Sequence, residues 1–333
     1  MRATTDGRNI APDLGSLVGE ASKVEVRRPE QAYPLPSDLH AAPTPGTYYD
    51  LPVLKKPVWK AWIPAYFWTG GAAGAAATLG AAAQIVAPVR SRGLVTRTRW
   101  MSTVLVGASA ALLTIDLGRP KRFLNMLRVL RLSSPMSVGS WILTASGVAS
   151  GLAALGSDGA GLAAGVLGLP LSGYTAVLLS NTAVPAWLHA RGALPALFVA
   201  SGAASAAALL ELMPSSSRES RVVHAFSIAG KVGEVVGMRR VERALGAHPP
   251  VAASLRSGRA GKLWKAARVL SIAGLVATVL SGGRRGRGRI AAGLLGTAGA
   301  LALRFAIVEA GKQSALDPRA TFVPQRARTA PGT

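Results

Sequence analysis

Asp116 stands directly after an uncharged apolar run, residues 100–115, and just before a Gly-Arg-Pro turn that contains Arg119. A carboxylate is costly to bury in a membrane, so one at the mouth of a membrane-length helix is more often functional than ornamental. Such an acid can accept a proton or hydrogen-bond a polar head group, and a neighbouring guanidinium fixes its orientation. Arg119 is then a counter-ion or a second donor to the same ligand. The alternative is a purely structural acid that pairs with a nearby arginine and holds the turn.

A second set of polar residues lies along one apolar stretch, with spacings of three, four and three residues: His224, Ser227, Lys231 and Glu234. This spacing predicts one polar stripe on one face of a helix. In a membrane-spanning helix the stripe must face the interior of the bundle, where Lys231 and Glu234 can neutralise each other. Proton relays use such an arrangement. The alternative is a helix at the membrane surface with its stripe in water.

Tyr174 and Asn181 form a third candidate pair, because residues seven apart share one face of a helix. A phenol and an amide on a common face can hydrogen-bond a carbonyl group of a ligand. They can equally well satisfy neighbouring backbone groups, and the spacing alone leaves both interpretations open.

The composition favours an integral membrane protein over a soluble domain. Half of the residues are hydrophobic and 16% are charged, and the net charge of +23 lies mostly outside the apolar runs. That charge is typical of loops that face lipid head groups or a partner, and no base-stacking pattern indicates nucleic acid. Without cysteine the chain holds no Fe–S cluster or thiolate zinc site, and its scattered histidines do not predict a haem.

The apolar runs predict an all-α integral membrane protein, a tight bundle of about eight transmembrane helices. A bilayer core of roughly 30 Å takes about 20 apolar residues in a helix. The predicted spans are residues 62–89, 100–115, 138–155, 159–184, 192–210, 222–238, 269–283 and 290–308. Arg304 lies inside the eighth span, and Glu211 ends the fifth.

The chain outside the spans is polar. We expect a Pro-rich N-terminal tail over residues 1–58, mobile or partner-bound, a transmembrane bundle over 59–310 and a polar C-terminal tail over 311–333. Lysine and arginine are more frequent in the loops on the side of the N-terminus, which favours both termini in the cytoplasm. The basic segments 90–99 and 284–289 argue the other way. The expected location is the cell membrane, with several spans.

Three strings resemble the NrfD-like family, the membrane subunits of polysulfide reductase and related molybdopterin complexes. They are LLTIDLGRPKRFLNMLRVLRLSSPMSVGSW (112–141), GYTAVLLSNTAVPAW (173–187) and YFWTGGAAGAA (66–76). The resemblance covers roughly residues 50–310, and the DLGRP string with its SPMS continuation is specific.

The resemblance implies a quinone-reactive membrane anchor of an oxidoreductase complex. Such subunits hold no haem, Fe–S cluster or metal, take quinone or menaquinone as substrate, and exchange electrons through a ferredoxin-like Fe–S subunit linked to a molybdopterin catalytic subunit. The resemblance assigns the quinone pocket to Asp116, Arg119 and Tyr174, with Asn181 as a weaker candidate. In the first span, where the family often has His or Asn, Tyr66 and Gln84 are the sizeable polar groups besides tryptophan, and Tyr66 is counted among the expected quinone-binding residues.

The stripe of the sixth span falls where carboxylates of the family's proton path tend to lie. The proton-path candidates are therefore Glu234, Lys231, His224 and Glu211. Two other classes stay open beside the quinone subunit: a transporter or proton-conducting protein that uses this stripe, and a purely structural anchor.

Overall fold

The computed structural model describes residues 10–11, 16–17, 51–118 and 124–329, with the backbone alone for 10–11, 16–17 and 326–329. The chain divides into two units, residues 1–47 and 48–333. In the first unit two short strands, Ile10–Ala11 (β1) and Ser16–Leu17 (β2), pair antiparallel. Most of the predicted N-terminal tail lies outside the described residues.

The described part of the second unit is helical. In chain order its helices are α1 Trp62–Val86, α2 Arg92–Leu117, α3 Pro135–Ala154, α4 Asp158–Ser180, α5 Pro185–His189, α6 Leu194–Glu211, α7 Ser217–Gly246, α8 Pro249–Arg256, α9 Gly258–Ser281, α10 Arg287–Leu316 and α11 Pro318–Thr329. Helices α5, α8 and α11 are short. A three-residue helical turn at residues 124–126 is not numbered.

The predicted fold class is confirmed, since the described second unit is an all-α bundle with membrane-length helices. Within the described residues, six helices are long and apolar enough to cross a membrane: α2, α3, α4, α6, α9 and α10. The other two predicted spans correspond to α1 and α7, which are of membrane length but are not among these six. α1 is uncharged and rich in glycine and alanine, and α7 carries several charges.

The first helix packs antiparallel to α2 and to α4. In α1, Gly74 lies against Gly168 of α4, and a β-carbon on Gly74 would stand 2.4 Å from the Gly168 carbonyl oxygen. Glycine on both helices therefore allows backbone-to-backbone contact. We call the end of the bundle where α1 begins and α2 and α4 finish the near end, and the opposite end the far end.

Local sequence signals set where several helices begin and end. The Ser134 side chain accepts a hydrogen bond from the Ser137 N–H, and Pro135 occupies the first turn of α3, so the SPMS string is a helix start. Ser216 and Glu219 form a capping box at the start of α7. Gly118 ends α2 in the left-handed conformation, with φ of 70°.

The start of the second helix differs from the sequence expectation. It begins at Arg92 rather than residue 100, because arginines that suggest a loop find partners on other helices. Arg97 pairs with Glu219 at 2.9 Å. Arg99 pairs with Asp158 at 2.6 Å and donates to the Gln84 side-chain oxygen. At the other end of the chain, α10 continues to Leu316, beyond the predicted limit of the bundle.

Candidate functional site

Tyr66 and Tyr174 belong to one apolar cluster toward the near end of the bundle. Tyr66 is buried in the second turn of α1, and the half-buried Tyr174 of α4 packs against the same cluster. The Ser109 hydroxyl of α2 donates to the Tyr66 carbonyl at 3.4 Å, which fixes α2 beside this turn. The two phenols are therefore held on neighbouring helices at one end of the molecule.

Gly139 provides the space for the Tyr174 ring. A β-carbon on Gly139 would stand 2.2 Å from Cε2 of Tyr174, closer than any side chain can approach. The two family-like strings of the sequence, SVGSW and GYTAV, therefore meet in space at these residues.

Asp116 lies in the last turn of α2, half-buried at the near end. It follows Leu112 and Leu113 by four and three residues, and both leucines pack against the cluster that holds Tyr174. Residues at these spacings share a helix face. The carboxylate therefore extends about one turn beyond the apolar cluster, toward the near surface.

The other two predicted pocket residues do not join this group in the described structure. Asn181 is exposed and forms the C-cap of α4, two turns beyond Tyr174. Arg119 lies outside the described residues.

The predicted polar stripe of α7 faces the inside of the bundle. Ser227 and Lys231 are fully buried, and Glu234 is 1% exposed. This burial excludes the alternative in which the stripe lies in water at the membrane surface. The ion-pair partner of Lys231 is a residue on another helix, however, because Lys231 Nζ lies 2.8 Å from Glu211 of α6.

The ammonium of Lys231 is fully coordinated by protein oxygens. Besides Glu211 it donates to the Thr278 hydroxyl at 2.6 Å and to the Ala292 carbonyl at 3.2 Å. Thr278 in turn donates to the second oxygen of Glu211 at 3.0 Å. A buried ion pair is stable only when such additional hydrogen bonds satisfy both charges.

Glu234 lies one turn further along α7, toward the near end. Its Oε1 accepts a hydrogen bond from the Ser271 hydroxyl of α9 at 2.5 Å. It interacts electrostatically with Arg304 of α10, which is fully buried and whose guanidinium stands 3.7 Å above the ring of Phe198. The charged groups Glu211, Lys231, Glu234 and Arg304 therefore follow one another through the interior.

His224 occupies a different environment from the rest of the stripe. It is half-buried, and its Cβ would lie 3.2 Å from a β-carbon on Gly283 in the turn between α9 and α10. It is two turns from Lys231, toward the far end.

Sequence reasoning missed Ser271 and Thr278, which contribute hydroxyls to the buried charges. They are seven residues apart on α9, the same spacing that identified other candidates, so the signal was present in the sequence. Their importance depends on the partner helix α7, and nothing in the local sequence of α9 indicates which face meets it.

The described residues contain no group of three or more His, Asp or Glu side chains arranged to hold a metal ion. The rings of His189 and His248 lie 4.2 Å apart at the near end, between α5 and the start of α8. This pair supplies two nitrogen ligands, fewer than a closed structural zinc site requires.

The comparisons with known proteins agree with the resemblance carried by the sequence strings. No curated protein matches the chain significantly. The model of the family described as "Polysulphide reductase, NrfD" matches residues 51–155, which run from the approach to α1 through the end of α3. This segment contains Tyr66, Asp116 and Gly139, and the described bundle is that of a multi-pass membrane protein. The resemblance to the NrfD membrane-subunit family is therefore confirmed over residues 51–155.

Proposed function

We propose that this protein is the quinone- or quinol-reactive membrane anchor of an oxidoreductase complex. In this role it exchanges electrons between the quinone pool and an Fe–S partner subunit, which serves a molybdopterin catalytic subunit. The observation that carries the proposal is the near-end group in which Tyr174, seated against Gly139, lies with Tyr66 in one cluster just inside Asp116.

The chemistry required of this chain is modest. Reducing a quinone takes two electrons, which the partner supplies, and two protons. The Tyr174 hydroxyl is suited to donate a hydrogen bond to a quinone carbonyl oxygen, and the Asp116 carboxyl is suited to exchange the proton. The apolar cluster below them suits the ring and the isoprenoid tail. Arg119 belongs to the same proposal as a supporting charge, and Asn181 as a weaker contact.

The near end also suits an acidic soluble partner. Exposed lysines and arginines there come from the start of α1, the segment before α3, and the α7–α9 region: Lys55, Lys56, Lys60, Arg128, Arg131, Arg239, Arg240, Arg243, Arg256, Arg259, Lys262, Lys265 and Arg268. Complementary charge speeds and orients docking. Under the positive-inside rule this end, with both termini, faces the cytoplasm.

The buried charges form the proposed proton path. Glu211, Lys231 and Glu234 lead from the far end into the centre of the bundle, and His224 is the candidate group at the far-end turn. A proton-conducting protein without quinone chemistry is the second candidate function, favoured by the complete burial of Lys231. Ionisable residues inside a membrane bundle are most often part of a substrate or proton path.

The test is to purify the chain from membranes with its bound partners and to measure quinol-dependent reduction of the complex. Asp116→Asn and Tyr174→Phe are compared with Asp158→Asn, an acid in the first turn of a helix at the far end. Loss of a positioned proton donor lowers rates by about 100-fold or more. We expect that loss for the two near-end variants, with the complex intact and Asp158→Asn unaffected.

Full activity in both near-end variants would contradict the assignment of Asp116 and Tyr174 to a quinone site. It would favour a structural anchor. A chain that purifies without Fe–S or molybdopterin proteins, and conducts protons in liposomes, would favour the second candidate.

A further inference from the structure

A cavity of about 380 Å³ lies at the near end, where the last turns of α7, the short helix α8 and the first half of α9 meet. Its volume is within the range of small-molecule binding sites, about 300–1,000 Å³. The buried side chains of Leu245 and Leu255 line it together with three cations: Arg256, Lys265 and Arg268. The cavity therefore offers apolar and positively charged surface to the same ligand.

Glu242 of α7 holds two of the side chains that line this cavity. The buried Trp264 donates its indole N–H to Glu242 Oε1 at 2.6 Å. Arg268 Nη1 lies 3.4 Å from the same oxygen. Trp264 and Arg268 are four residues apart, so one carboxylate oxygen links α7 to two successive turns of α9. These contacts are made within the chain, so the wall of the cavity is formed without a ligand.

The lining of the cavity carries an excess of positive charge. Glu242 is the one acid among the lining residues, and it offsets one of the three cations. Within the part of the chain that the structure describes, Arg256 and Lys265 form no salt bridge. Arginine and lysine both bind phosphate, arginine through a planar pair of N–H donors and lysine as a point charge. A phosphate group is therefore the anion that this lining suits.

The position of the cavity along α9 is that of lipid head groups. Lys265 and Arg268 directly precede the apolar part of α9, which the sequence predicts from residue 269. The face that carries them continues along the helix as an exposed apolar stripe: Ile272, Val276 and Val279. Exposed apolar side chains on a membrane-spanning helix face the lipid, so an acyl chain can lie along this stripe while its head group occupies the cavity.

We propose that this cavity binds the phosphate head group of an anionic phospholipid from the near-end leaflet. Arg256 and Lys265 contact the phosphate, and the leucines and Trp264 contact the glycerol backbone and the upper part of an acyl chain. Basic pockets between transmembrane helices bind anionic lipid head groups in this way. A phospholipid fits better than free phosphate, because a free ion makes no use of the leucines or of the apolar stripe. The proposal goes beyond the proposed function and involves no quinone chemistry.

Native mass spectrometry of the full chain, purified in detergent with its bound partners, measures the binding of added lipid. The probes are phosphatidylglycerol and phosphatidylcholine with identical acyl chains, and inorganic phosphate alone. We expect tight binding of one phosphatidylglycerol and weak binding of phosphatidylcholine. The double variant Arg256→Gln with Lys265→Gln should weaken phosphatidylglycerol binding by about 25-fold, since each cation contributes about five-fold toward an anionic head group.

Arg259→Gln with Lys262→Gln is the matched control. Both residues lie in the first two turns of α9, and the change in net charge is the same, but neither side chain lines the cavity. Salt screens exposed charges at a distance, so this variant should bind phosphatidylglycerol nearly as tightly as the native chain. All four substituted residues are exposed, so both variants should fold.

Equal binding of the two lipids, or an equal loss in the two double variants, would overturn the proposal. Inorganic phosphate that binds the native chain as tightly as phosphatidylglycerol would also overturn it and would identify a site for a free anion. A cavity variant that loses an acidic partner protein but keeps its lipid would instead assign the cavity to the docking surface. Quinol-dependent activity does not enter this measurement, so its failure is distinct from failure of the proposed function.

Discussion

The Tyr174 ring of α4 lies in the space left by the missing side chain of Gly139 in α3, where a β-carbon would come within 2.2 Å of Cε2. The position of the ring is therefore limited by α3 as well as by its own helix. The placement of the phenol depends on a glycine in a neighbouring element.

Gly139→Ala should displace the Tyr174 ring and lower quinol-dependent activity, while the purified complex still assembles. Overpacking of this kind destabilises proteins by about 1–3 kcal/mol. The control is Gly151→Ala on the same helix, where a β-carbon meets nothing within 4 Å. The measurement is the quinol-dependent activity of both variants. Equal activities would show that the placement of Tyr174 does not matter for the reaction with quinol.

The contact between α1 and α4 depends on glycine in the same way. Gly74→Ala brings a β-carbon to 2.4 Å from the Gly168 carbonyl and 2.9 Å from the Ser172 nitrogen, and both are backbone atoms that cannot move independently. We expect a loss of roughly 1–3 kcal/mol in the free energy of unfolding.

Gly107→Ala on α2 is the control for Gly74→Ala, because a β-carbon on Gly107 meets nothing within 4 Å. This substitution should be neutral or should stabilise the protein by up to about 1 kcal/mol. Thermal unfolding in detergent measures both. Equal midpoints for the two variants would show that α1 and α4 adjust without strain.

The orientation of the bundle can be tested directly, because the chain contains no cysteine. Arg128→Cys at the near end and Arg284→Cys at the far end each introduce one exposed thiol. If the near end is cytoplasmic, a membrane-impermeant maleimide added to intact cells labels Arg284→Cys and leaves Arg128→Cys unlabelled until the membrane is opened. The reverse labelling would place both termini outside.

The sequence was most informative where local signals decide the structure. The span predicted over residues 138–155 corresponds to α3, and Ser134 and Pro135 are the cap and first turn of that helix. It was least informative where partners come from distant elements. Arg97 and Arg99 suggested a loop because their partners Glu219 and Asp158 are far along the chain.

The charged stripe of α7 illustrates both cases. Periodicity alone predicted that its polar residues share one face, and their burial follows from that face meeting the bundle. The identity of the partner was not predictable, since Glu234 is three residues from Lys231 on the same helix while Glu211 ends a different one. The long lysine side chain reaches toward the far end to Glu211, and this choice depends on how α6 and α7 pack.

Removing one charge of the Lys231–Glu211 pair should destabilise the protein much more than removing both charges. Lys231→Met leaves the Glu211 carboxylate buried without its cation, and loss of one partner from a buried ion pair costs about 3–5 kcal/mol. The double change Lys231→Met with Glu211→Gln removes both charges and should recover much of that loss. Thermal unfolding of the single and double variants in detergent gives the interaction free energy as a double-mutant cycle.

Lys312 provides the matched control, because it faces Glu309 at 3.7 Å on one helix and both side chains retain solvent access. Lys312→Met should cost at most about 1 kcal/mol, as exposed pairs do. If Lys231→Met proved as mild as Lys312→Met, the result would contradict a buried ion pair that stabilises the bundle at this position.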